Sequence, residues 1–344
     1  MTPQPAERAE RAGLTMADVA RLADVSVMTV SNVVNDRAER VSAETRQRVQ
    51  AVIASTGYRV NMPARHLRQG RTGSIVLAVP DFASAYFGEL GARLAERLRP
   101  HGFRLVLELT RGTLDDELET LSSPHLDGHD AIILSMTAGT ATDLIDAQPR
   151  KPLVVIGERP VPAGFDHVAM DNVGGARLAT HALLDAGSRR IAIIGGHLGG
   201  HESMEVLRTQ GYRDALTSRS VPVDEKLVVE GGVGLADGER AVRRLLEAGV
   251  AFDGVFGLTD AAALGAMSAL AAAGLRIPQD VRVVGWDNTE LATYAIPPLS
   301  SVEPDNAAMA DGIVRLLLRR LDDADAPAET TTPPARLVRR ESTR

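Results

Sequence analysis

Apolar positions first recur at helical spacing between Leu14 and Asn35, LTMADVARLADVSVMTVSNVVN. Val19, Ala20, Leu22 and Ala23 give one apolar face, and Val30, Val33 and Val34 a second. Thr15, with Asp18 three residues on, is a capping-box start, and Ser26 is the next N-cap. Ala23-Asp24-Val25 leaves room only for a turn, so the stretch predicts two short helices in a helix-turn-helix. In that arrangement the second helix, Val27 to Val34, enters a DNA major groove N-terminus first. After the polar loop DRAERV, Ser42-Ala43-Glu44-Thr45 starts a third helix. Val49, Val52 and Ile53 line one face of it, Gly57 ends it, and Tyr58 folds back on a small three-helix core.

From Ser74 the pattern changes. Short apolar runs predict strands at Ser74–Val79, Arg104–Leu109, Ala131–Leu134, Leu153–Ile156, Ile191–Ile194, Leu227–Val229, Gly254–Gly257 and Val281–Trp286, with His167–Met170 short and extended. Helical spacing separates them at Phe87–Arg99, Asp115–Leu121, Ala141–Ala147, Val173–Ala186, Met204–Thr217, Leu235–Ala248 and Asp260–Ala273. Alternation of this kind means parallel sheets covered on both faces. The number of strands fits two successive doubly wound lobes better than one sheet. Such lobes bind ligands at the carboxyl ends of their strands, and the cleft between them is a natural small-molecule site.

Composition narrows the class. The 344 residues are 44% apolar and 24% charged, enough for a small domain plus a large one. Cysteine is absent, which excludes disulfides, thiolate metal sites and a cysteine nucleophile. No apolar run approaches the roughly 20 residues of a membrane span. MTPQPAERAERAG lacks the apolar segment of a signal peptide and reads as a disordered leader over 1–13, so a cytoplasmic location is expected. The net charge of −7 hides an asymmetry: residues 1–71 carry 11 Arg against 7 acidic residues, while the remainder is acidic. A basic end on an acidic body lets one region meet phosphates while the body stays off DNA.

The run T-x-x-D-V-A-x-x-A-x-V-S-x-x-T-V-S-x-V-x-N, from Thr15 to Asn35, resembles the DNA-binding domain of the LacI/GalR family of bacterial transcription regulators. That family usually has Gly at the position of Asp24 and often Arg or His at that of Asn32. Val79-Pro80-Asp81, Asp171-Asn172, Gly211-Tyr212-Arg213, Gly285-Trp286-Asp287-Asn288 and Ala335–Arg340 extend the resemblance to the family's periplasmic-binding-protein-like core. The fold it implies is an α-helical helix-turn-helix domain plus an α/β two-lobed core of doubly wound parallel sheets. The expected boundaries are 14–60 for the DNA-binding domain, 61–71 for a hinge and 72–344 for the core. The core would divide into an amino lobe, 72–171 and 304–330, and a carboxy lobe, 172–303 and 331–344.

By residue type, Asn61 to Gly70 reads as a linker. The resemblance implies a hinge helix that folds on operator DNA and inserts Leu67 into the minor groove, with Ala64 packed beside it and Pro63 in its first turn. Val27, Met28 and Asn32 are best placed at base edges, the first two offering only apolar contact, for example to a thymine methyl. Thr29, Ser31 and Arg68 are expected at phosphates. Thr15, Ser26 and Asn35 complete the set expected at DNA.

Candidate effector residues follow strand ends. Phe82, Tyr86 and Phe87 follow the first strand in a chain with only 11 aromatic residues, and aromatic faces suit sugar rings or bases, although plain packing explains them too. Arg208 and Asp287 match family positions that hold polar ligand groups; a planar fork of donors and a two-oxygen acceptor suit vicinal hydroxyls. A surface arginine and a loop cap are the plainer alternatives. Asp260 either faces the ligand or caps its helix. Glu158, Arg159 and Glu202 would face the cleft as weaker members of the candidate set. The EGGVG stretch puts Val233 or a neighbour where relatives often present an aromatic platform, and Glu202 sits near where purine-binding relatives use a base; both departures favour a sugar or sugar derivative.

Gly195-Gly196-His197 and Gly199-Gly200-His201 resemble a metal or catalytic motif, but paired histidines need a helix to converge on a metal, and this reads as a pocket-rim loop. No hydrolase, zinc-protease or P-loop pattern occurs, so neither an enzyme, a metal nor a cofactor is expected. The resulting expectation is a homodimeric repressor with operator DNA and a sugar-like effector as partners and no membrane. The alternative is a solute-binding protein for a sugar transporter.

Overall fold

The computed structural model describes residues 14–34, 41–58, 70–122 and 124–344. The expected leader, Asn35, and the hinge residues Ala64, Leu67 and Arg68 lie outside the described residues. The chain divides into two compact units, Met1–Arg71 and Thr72–Arg344.

In the first unit, α1 (Met16–Leu22), α2 (Val27–Val34) and α3 (Ala43–Thr56) surround a core of Val19, Ala20, Ala23, Val30, Val49 and Tyr58. Thr15 and Asp18 form the capping box of α1, and Ser42 caps α3, which ends at Gly57 in the left-handed region. Leu22 departs from expectation: it is exposed, while Val19, Ala20 and Ala23 fill the face of α1 toward the core. Asp24 holds the turn at φ 50°, a conformation that Gly takes freely and Asp tolerates.

The strands of the second unit are, in chain order, β1 (Ser74–Val79), β2 (Arg104–Leu109), β3 (Ala131–Ser135), β4 (Leu153–Ile156), β5 (Asp166–Val168), β6 (Ile191–Ile194), β7 (Val228–Val229), β8 (Gly254–Gly257), β9 (Arg282–Trp286), β10 (Ser300–Glu303), β11 (Thr330–Thr331) and β12 (Arg336–Val338). Its helices are α4 (Ala85–Leu98), α5 (Leu114–Ser122), α6 (Ala141–Ala147), α7 (Asn172–Asp185), α8 (Met204–Ser218), α9 (Leu235–Glu247), α10 (Asp260–Ala272), α11 (Glu290–Tyr294) and α12 (Asn306–Asp322). They build two six-stranded sheets in the orders β11-β5-β4-β3-β1-β2 and β12-β10-β9-β8-β6-β7. Every pairing is parallel except β10 with β12. The strands β1, β3, β4, β6 and β8 are buried from end to end, as the unbroken apolar runs require when helices cover both faces.

The chain passes between the sheets three times: from β5 to α7, from β10 to α12, and from β11 to β12. Helix α7 packs Ala176, Ala179 and Leu183 under the second sheet, while α12 returns to the first with Met309, Ile313, Leu316 and Leu317. Five elements, α11, β10, α12, β11 and β12, lie beyond the last strand predicted from the sequence. Strands of two to four residues containing Ser, Thr, Glu and Arg carry no readable alternation. The buried residues of α12, by contrast, recur at helical spacing.

Close helix contacts fix the second lobe behind the cleft. A Cβ on Gly265 of α10 would lie 1.9 Å from the Leu235 carbonyl oxygen, and one on Gly238 of α9 would lie 2.0 Å from that of Ala262. Both approaches are to backbone, so no side chain can swing aside. Gly265→Ala is therefore expected to force α9 and α10 apart and destabilise the fold by about 2 kcal/mol or more, read by urea unfolding. Wild-type stability would show that the helices are not in this contact.

Candidate functional site

Two surfaces carry the candidate chemistry, one in each unit. In the first, Ser26 Oγ accepts from the Thr29 backbone N–H at 3.1 Å and lies 2.9 Å from Thr29 Oγ1, fixing the start of α2. Thr15 is held by Asp18, whose Oδ2 accepts from Thr15 Oγ1 at 2.7 Å and from its N–H at 3.1 Å. Both capping residues thus have structural work at helix ends. Those Thr15 hydrogen bonds, with Arg21 adding, push the Asp18 carboxyl down to about 2. Beside the Ser26 cap, Val27 and Met28 are 47% and 70% exposed, an apolar tip unusual for a short surface helix. Thr29, Ser31 and Asn32 are half-buried on the following turn.

In the second unit a cavity of about 560 Å³ opens between the strand ends of the two lobes. Tyr86, Phe87, Thr137 and Glu158 line it from the first lobe, and Arg208, Val233 and Asp287 from the second. Tyr86 and Phe87 stand edge to face, their centroids 5.0 Å apart. Arg208 is 2% exposed. Its Nε donates to Asn172 Oδ1 at 2.7 Å, one terminal nitrogen donates to the Leu258 carbonyl oxygen, and the other lies 3.3 Å from Met170 Sδ. Its Cζ lies 3.8 Å above the centre of the Trp286 ring, which is fully buried.

Asp287 follows Trp286 at φ 106°. Its N–H donates to the Val302 carbonyl at 2.9 Å and its carbonyl accepts from Asn306 Nδ2 at 3.0 Å. Burial raises its carboxyl well above the usual range; Arg208 opposes this, while the charges of Asp260 and Glu158 add to it. Burial likewise lowers the pKa of Arg208, against Asp287, Glu158 and Glu205, and raises that of the Tyr86 hydroxyl.

Two expected effector residues fall elsewhere. Phe82 is half-exposed and is not on the cavity wall, because the loop after β1 turns it outward. Asp260 lies behind the wall. Its carboxylate accepts from Thr289 N–H at 2.7 Å, Thr289 Oγ1 at 3.0 Å and Ser301 Oγ at 2.6 Å, and so braces the loop that carries Asp287. The cap of α10 is Thr259. Of the weaker candidates, Arg159 lines the cavity and donates to the carbonyls of Thr137 at 2.6 Å and Glu202 at 3.3 Å, bridging the mouth from lobe to lobe. Glu202 takes part only through that carbonyl. His197 and His201 lie on the cavity rim.

The strand-end rule that singled out the loop after β1 also reaches Ser135, the last residue of β3, and Met136 and Thr137 after it, which line the cavity and were not named from sequence. The buried Glu117 shapes their loop, accepting from Thr137 N–H at 2.7 Å, Thr137 Oγ1 at 2.8 Å and Gly139 N–H at 2.8 Å. Nothing in its local sequence marks that role.

Residues 15–61 match the family model described as bacterial regulatory proteins, lacI family, and residues 180–343 match a periplasmic binding protein-like domain. The chain is 35% identical over 342 residues to the HTH-type transcriptional regulator CelR of Thermobifida fusca, covering 96% of each. It is 33% identical over 331 residues to the ribose operon repressor of Haemophilus influenzae, covering 95% of this chain and 98% of the repressor. A solved transcriptional regulator CelR–cellobiose complex superposes with a TM-score of 0.70 at 32% identity, over 96% of this chain and 99% of that one.

The bracing carboxylate gives a pH signature. Burial pushes Asp260 up from 3.8 to about 6, against its hydrogen bonds from Ser301 and Thr289. In that window the folded chain holds a proton that the unfolded chain has released, so this contribution to stability falls as pH rises. Asp260→Asn is expected to remove about 2 kcal/mol of the decline between pH 4 and pH 6 in urea unfolding. Parallel stability curves for parent and variant would refute the shift.

Proposed function

The chain belongs to the lacI family of bacterial transcriptional regulators, and from that premise we propose that it is a repressor controlled by a sugar-like effector bound between the core lobes. The observation that carries the proposal is the joining, in one chain, of a capped helix with an exposed apolar tip to a cavity floored by Arg208, Glu158 and Asp287. A transport solute-binding protein has no use for the first. The cellobiose held by the CelR structure supports a sugar, and a cavity of about 560 Å³ has room for a disaccharide.

In this reading Val27, Met28 and Asn32 meet base edges, with Thr29 and Ser31 at phosphates. The segment 61–71 forms the hinge, Leu67 wedges the minor groove, Ala64 packs beside it, and Arg68 holds the backbone. Two copies bind a two-fold operator in the cytoplasm. An apolar face on the core supports the dimer. Val106, Leu107 and Leu109 are exposed on edge strand β2, and Leu291, Tyr294 and Ile296 on and after α11, the last 95% exposed. Glu290 N–H donates to Glu89 of α4 at 2.8 Å, bringing α11 against the helix that packs beside β2. A patch of this kind suits an isologous contact with a second copy. Ligand binding changes lobe closure and hence the DNA-binding form, and linkage requires operator DNA to change ligand affinity by the same factor.

Trp286, packed under Arg208, reports directly on the cavity. Titrating sugars into the full chain is expected to change its fluorescence saturably for one sugar class, and that sugar to alter operator binding; silence on both counts across sugars and nucleosides sinks the effector reading. Asp287→Asn is expected to weaken that sugar at least about 10-fold while operator affinity without sugar stays within about 2-fold, measured by anisotropy. Leu67→Ala is expected to weaken the operator strongly with sugar affinity unchanged. Substituting Asn32 should alter preference at one base pair per half-site, whereas Arg68→Ala should weaken all sites alike and flatten the salt dependence. Identical profiles for the Asn32 and Arg68 variants would overturn the division into readers and anchors.

A further inference from the structure

We infer that the inter-lobe cavity selects an uncharged, hydroxyl-rich ligand and rejects anions such as sugar phosphates and sugar acids. The inference rests on reading that cavity as the effector site. Six charged side chains line it: Asp81, Glu158, Glu205 and Asp287 against Arg159 and Arg208. With His197 and His201 on the rim, the two guanidinium groups are the permanent positive charges on which a phosphate or carboxylate would dock.

Each is already engaged by the protein. Arg159 already donates to two backbone carbonyls across the cleft mouth. Arg208 has a protein partner on each of its three nitrogens, and one of its faces lies on Trp286. Its charge is answered by Asp287, Glu158 and Glu205. What remains on Arg208 is one N–H on each terminal nitrogen, which suits a neutral hydroxyl oxygen. The N-terminus of α8 also reaches the cavity, but Ser203 caps it and Glu205 sits in its first turn, so its partial positive charge is met as well.

The acceptor side is open. Glu158 and Asp287 line the same space; Glu158 accepts from Asn172 Nδ2 at 3.2 Å, and the Asp287 carboxyl, which burial shifts toward its neutral form, can both accept from and donate to a hydroxyl. A hydroxyl group donates to a carboxylate and accepts from an N–H. The oxygens of an anion only accept, and here they meet a cavity lined by four acidic side chains against two guanidinium groups.

The test uses matched pairs on the full chain: glucose with glucose 6-phosphate, ribose with ribose 5-phosphate, and cellobiose with cellobionate, titrated calorimetrically at one ionic strength. At least one neutral sugar is expected to bind, with its anionic partner at least about 100-fold weaker. An anionic member that binds as tightly as its neutral partner overturns the inference and leaves the effector-site reading standing. Six silent titrations overturn both. Glu205→Gln supplies the second arm. It should narrow the discrimination between the neutral sugar and its anionic partner at least about 5-fold; an unchanged ratio removes the electrostatic basis.

Discussion

A guanidinium group taken out of water is the constraint around which the core is arranged. Burying a charge is costly unless it is hydrogen-bonded and balanced, and Arg208 meets both conditions through several segments at once. Asn172 comes from the start of α7, Leu258 from the end of β8, and Trp286 from the end of β9. Helix α7 must then approach the indole closely. A Cβ on Gly175 would lie 2.3 Å from the far edge of the Trp286 ring, so only glycine fits at that position. Asp287 follows immediately in a left-handed conformation, and Asp260 braces its loop from behind. Charge, ring and loop therefore stand or fall together.

The same residues sit at the passages between lobes. Asn172 begins the helix after the first passage and bonds both Arg208 of the second lobe and Glu158 of the first. Asn306 begins the helix after the second passage and bonds the Asp287 carbonyl. A ligand that engages Glu158 and Asp287 thus acts on groups hydrogen-bonded to the first residues past two of the three crossings. This gives closure a direct physical handle, since a ligand shifts an equilibrium only through contacts that differ between the two forms. Arg159 spans the mouth independently of that floor, through backbone carbonyls on either side.

The sheets were legible because β1, β4, β6 and β8 are unbroken apolar runs with the bounds their sequence predicts, and helix ends were legible where caps announced them, as at Thr15, Ser42 and Gly57. Arg208, Asp287, Tyr86 and Glu158 were named through strand-end positions and motif resemblance, and they line one cavity. The same rule overreached at Phe82, where a strand end says nothing of which way the loop turns, and it was not carried to Ser135–Thr137. Asp260 had two readings; the cap of its helix is Thr259, and its oxygens answer Thr289 and Ser301, which are 29 and 41 residues away in sequence.

The sequence by itself determined the element types as far as β9, the helix-turn-helix with its caps, the presence of two α/β lobes and the family, because each is written in spacing and in contiguous motifs. Tertiary structure alone decided which charges are answered. Whether Arg208 is free to hold an anion depends on a carbonyl at Leu258, a sulfur at Met170, a ring at Trp286 and carboxylates from three segments, none of them near it in sequence except Glu205. Burial and pairing across such separations are properties of the packed chain, and the sign of the cavity follows from them.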